Sequence, residues 1–88
     1  MKLFAVAAAA LASLTIAAPA HAGGEHFAAG ALAGGLCRMH VKGASVDDVM
    51  PRVVQIVAER GINPRILLRS DVQEMAAYRA YQFCGYSS

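Results

Sequence analysis

The sequence predicts an all-α fold: a small orthogonal bundle of three main helices and one short helix, stapled by one disulfide. Three observations lead there. Apolar residues between Val46 and Val57 recur at spacings of three and four, which is one face of a helix. Glycine, proline, serine and asparagine signals cut the rest of the chain into helix-length pieces, and no second strand-like segment exists to pair with the valine-rich run. Two cysteines, Cys37 and Cys84, form one even pair in a short chain.

The chain has 88 residues, 57% of them hydrophobic and 16% charged, a balance too apolar for an ordinary soluble domain of this size. The excess is local, because 17 of the first 22 residues are apolar. Lys2 supplies a positive start, Leu3 to Ala18 an apolar or weakly polar run, and Pro19-Ala20-His21-Ala22 the small-x-small pattern that signal peptidase accepts. Residues 1–22 therefore read as a cleaved Sec-type signal peptide and 23–88 as a single small helical domain, exported to the periplasm or beyond the cell. The run is alanine-rich and shorter than the roughly 20 residues of a spanning helix. With Lys2 removed, seven basic residues face six acidic ones. A net charge of +1 excludes a nucleic-acid binder that works through a broad basic field.

The first helix is expected over Phe27 to Leu36, continuing through Cys37 and His40, with Lys42 in its last turn and Gly43 beyond it. Gly30 and Gly34 lie one turn apart, with Ala31 and Gly35 on the adjoining row. Each glycine costs a helix about 1 kcal/mol relative to alanine, so packing must hold the segment together. Its small-residue face suits close packing inside the domain, or alternatively self-association or membrane contact without spanning.

Ser45 caps the second helix, and Asp48 is placed to return the bond in a capping box. Val46, Val49, Met50, Val53, Val54 and Val57 form its apolar face, Pro51 sits near the end of its first turn, and Arg60-Gly61 closes it with Ile62 following. Asn63-Pro64 opens a short helical turn through Leu68. Ser70 with Gln73 reads as a second capping box, starting a last helix to about Phe83 that carries Val72, Met75, Ala76, Ala80 and Phe83 on one broad face. Tyr78 and Tyr81 fall toward a different side.

Export favours oxidation, and small cores need staples, so Cys37 is expected to pair with Cys84. The bridge closes 48 residues, which chain-entropy arguments value at roughly 4 kcal/mol. Cys37 and His40 also stand at i, i+3, a spacing that chelates metals, yet the rest of the domain offers only Cys84 and His26 as further soft ligands. A metal or haem carrier using Cys37 and His40 is thus the lowest reading. No metal site and no cofactor are expected. No serine stands in a nucleophile elbow, no glycine run forms a phosphate cradle, and the carboxylates look like caps and solvated helix faces, so no enzyme is expected. What remains is surface chemistry: Arg65, Arg69, Tyr78, Arg79 and Tyr81 gather in the C-terminal third, and Arg and Tyr are enriched at the centres of protein interfaces. The expected role is a non-enzymatic protein-binding or accessory subunit whose partner is another protein or a second copy. The alternative is a membrane-active or bacteriocin-like small protein acting through segment 27–36.

Overall fold

The computed structural model describes residues 24–87, so segment 1–22, the expected signal peptide, lies outside the described residues. The described chain is all α: α1 (Gly24–Lys42), α2 (Val46–Glu59), the short 3-10 helix η1 (Pro64–Leu68) and α3 (Ser70–Cys84). Among the described residues there is no strand. The disulfide joins Cys37 near the end of α1 to Cys84 at the end of α3, with Cα atoms 5.9 Å apart.

The turn signals explain where the elements stop. Among the described residues Gly43, Gly61 and Gly85 are the three glycines with positive φ, each just past a helix end. At Gly61 (φ 77°) the reversal is a Schellman motif: the Gly61 amide donates to the Ala58 carbonyl at 2.9 Å, and the Ile62 amide to the Val57 carbonyl at 3.3 Å. Ile62 then turns inward and is buried with Val57. At the other end of α2, the Ser45 hydroxyl accepts from the Asp48 amide at 3.2 Å. Only that half of the expected box forms, because an aspartate is one methylene shorter than the glutamate that returns the bond in the motif. Pro51 lies inside α2 on its exposed side. It removes the amide that would donate to the carbonyl of Asp47, itself an exposed residue.

Three further expectations need correction. α1 starts at Gly24 rather than Phe27, because Gly24 packs under Ile62: a Cβ built there would lie 3.2 Å from the isoleucine side chain. The second capping box is absent. α3 is entered directly from η1, so Arg69 holds the cap position, its carbonyl accepting from the Gln73 amide, and Ser70 is already helical. The Gln73 side chain instead donates to the Leu67 carbonyl at 3.1 Å and closes the 3-10 turn. Finally, Phe83 is 75% exposed. It shares the azimuth of Val72 and Ala76 but lies beyond Ala80, the last buried residue of α3, where the core has ended.

α1 is the axis of the molecule. α2 runs back along it, with Gly35 under Val49 and Val53, and Gly24 under Ile62. α3 runs in the same sense as α1: Arg69 reaches Glu25 at the helix starts, and the disulfide ties the helix ends. α2 and α3 both pack on α1 but do not approach each other backbone to backbone, and η1 touches all three. The core is the apolar row of α2, with Leu32, Leu36, Leu67 and Val72 filling the space between the helices. This layout accounts for the Ala/Gly composition of α1, since a helix flanked on two sides keeps its neighbours close only with small side chains.

Candidate functional site

Rotating about 100° per residue around α1 assigns its faces. Gly35 and Ala28 face α2, Ala33 and Cys37 face α3, and Leu32 and Leu36 between them enter the core. The fourth face carries Gly30, Gly34 and Arg38, and no element covers it. Gly34 is exposed, and a Cβ built there meets no atom within 4 Å. At Gly35, one residue along, a Cβ would lie 2.6 Å from Val49 Cγ1 and 2.9 Å from Val53 Cγ2. The small-residue face expected from sequence is therefore split: Gly35 is the close-approach residue, and the Gly30/Gly34 row is the floor of an open trough.

That trough has a volume of about 300 Å³, at the lower end of the range for ligand sites. α2 supplies one wall through Ile56 and Arg52, with Asp48 at the rim, and Arg38 rises from the floor. Beside Gly30, on the α3 side, Arg79 Nη1 donates to the His26 carbonyl at 3.0 Å and stands 3.2 Å from the Cβ position of Gly30. Neither Arg38 nor Arg52 forms an ion pair among the described residues, and Arg52 has only a 3.4 Å hydrogen bond to Gln55. Two guanidinium groups, Arg38 and Arg52, against the one carboxylate of Asp48 make the lining cationic.

The five residues singled out from sequence divide into two sets. Arg69 and Arg79 serve the fold, tying α3 to the start of α1. Arg69 donates to both Asp71 carboxylate oxygens, at 3.0 and 2.6 Å, and its Nη1 stands 4.0 Å from Glu25. These hydrogen bonds hold the Asp71 carboxyl below its ordinary value. Arg65, Tyr78 and Tyr81 are free at the surface, the tyrosines 64% and 61% exposed on the outer side of α3 beside Glu74. The guanidinium that stacks on an aromatic ring is Arg60, 4.3 Å from the Phe27 centroid, where the end of α2 meets the start of α1. Sequence reasoning missed the roles of Arg38 and Arg52. Their signal was present, since each stands on the polar edge of an otherwise apolar face, but the register that brings them to one groove was not.

The Cys37 sulfur is bonded to Cys84, and the His40 ring meets the edge of Tyr86 with centroids 6.3 Å apart. Among the described residues no group of three or more His, Cys, Asp or Glu side chains gathers at metal-binding distance. Six of the ten residues of segment 27–36 are buried: Ala28, Ala29, Leu32, Ala33, Gly35 and Leu36. No described helix is long and apolar enough to cross a membrane. Comparison with protein-family models, with curated proteins and with solved structures finds no match to this chain.

Proposed function

We propose that this chain is an exported, non-enzymatic accessory protein that works by binding another protein. The observation that carries the reading is the pair Tyr78 and Tyr81, largely exposed at i, i+3 on a helix whose end is fixed by a disulfide. Aromatic side chains on a rigid helix offer large contact area at little entropic cost, the usual character of an interface anchor. The small-x-small site ending at Ala22 and the disulfide support export. Membrane action through segment 27–36 would require the fold to release the helix against which α2 and α3 both pack, together with its buried residues Ala28, Ala29, Leu32, Ala33 and Leu36.

The test is a comparative capture from the exported fraction of the native host, using immobilised oxidised protein and its Tyr78→Ala/Tyr81→Ala variant. The expected result is a protein retained by the parent and lost from the variant. Equal retention by both, or co-sedimentation of the parent with anionic liposomes and no protein capture, would overturn the reading. Mass spectrometry of the same fraction checks export, with the N-terminus expected at Gly23 and the intact Met1 chain contradicting it.

A further inference from the structure

We propose that the partner surface of this chain is its own trough, and that a second copy docks the outer face of its α3 there. The inference rests on the protein-binding reading and names the partner. The trough is concave, with a glycine floor on α1 beside an α2 wall, so it cannot close on a copy of itself; it needs a convex helix face. Among the described residues, α3 presents such a face in Glu74, Tyr78 and Tyr81, at i, i+4 and i+7 on the side away from α1. Shape and charge agree. Gly34 leaves the floor open for an aromatic ring, and Arg38 and Arg52, without ion pairs among the described residues, outnumber Asp48 in the lining and complement Glu74. Arg38 and Arg52 also supply guanidinium planes on which a tyrosine stacks.

Trough and docking face lie on different sides of one molecule, so the contact is heterologous and each copy can both give and receive. It yields rings or short chains instead of a symmetric dimer. One helix face in one trough is a small interface, so association is weak and depends on concentration.

Sedimentation equilibrium of the oxidised protein as isolated from its host, over roughly 10 μM to 1 mM, reads the outcome directly. The weight-average mass of the parent is expected to rise at least twofold across that range. Gly34→Gln fills the floor with a polar side chain where the fold has room, and should hold the mass at that of the monomer. Arg52→Glu and Glu74→Arg should each reduce the rise, and the double variant Arg52→Glu/Glu74→Arg should regain it by exchanging the charges. Circular dichroism of every variant should match the parent. A parent that remains monomeric at 1 mM overturns the proposal, as does a mass increase that Gly34→Gln and the charge variants leave untouched. If the parent is monomeric while Tyr78 and Tyr81 still govern capture of a different protein, the protein-binding reading stands and the second copy is not the partner.

Discussion

Asp71 carries two tasks at the start of α3: it accepts from both nitrogens of the Arg69 fork, and its Oδ1 accepts from the Val72 amide at 3.0 Å. Both favour the ionised carboxyl and hold its pKa below the ordinary carboxylate value. A depressed native pKa contributes stability that is present above the unfolded value, near 4, and is lost as pH falls through the native one. Asp71→Asn, which keeps the size and removes the charge, should therefore melt below the parent at pH 7, and the gap should narrow as both are taken below about pH 4. A gap that does not change with pH would mean that the carboxylate charge is not what matters there. In the sequence this aspartate is one of the carboxylates that look like caps and solvated helix faces. The partner that defines its role, Arg69, looked like an interface residue, because a chain read in one dimension does not say whether an arginine folds back on its own helix or faces outward.

The helix ends show how far element-level signals reach. Ser45, Asn63 and the glycines at 43 and 61 act as their residue types suggest, since each works through bonds within a few residues of itself. Ser70 does not, because the one extended residue between the 3-10 turn and α3 is Arg69, which takes the cap position and leaves Ser70 inside the helix. The two serines should separate in equilibrium denaturation. Ser45→Ala is expected to cost about 1 kcal/mol as the Asp48 amide loses its acceptor, whereas Ser70→Ala should stay within about 0.5 kcal/mol of the parent. Equal losses at both positions would contradict the assignment of the caps. The end of α3 was legible in type but not in depth: periodicity placed Phe83 on the apolar side, and only the length of the core decides that Ala80 is the last residue it covers.

In the whole molecule, one helix carries the other two. The disulfide pairing followed from cysteine count and supplies roughly 4 kcal/mol by closing 48 residues, a large share of the 5–15 kcal/mol typical of native proteins. That α1 would pack closely was legible in its glycines and alanines, but which glycine makes the approach was not. Adjacent residues point about 100° apart, and the face that meets α2 is set by the register of two distant segments. The same geometry leaves the trough open on the neighbouring face, so the central claim is that Gly35 is wedged and Gly34 is free. Alanine at each position tests it in one experiment. At Gly34 the added methyl meets open space and the helix gains about 0.5–1 kcal/mol, worth several degrees of melting temperature in a domain this small. At Gly35 the same gain is offset by overpacking of about 1–3 kcal/mol against Val49 and Val53, whose β-branched side chains cannot swing aside. Thermal melts of the oxidised protein should place Gly34→Ala above the parent and Gly35→Ala below it; a Gly35→Ala melt at or above the parent, or a Gly34→Ala melt below it, would contradict the arrangement of helices around α1.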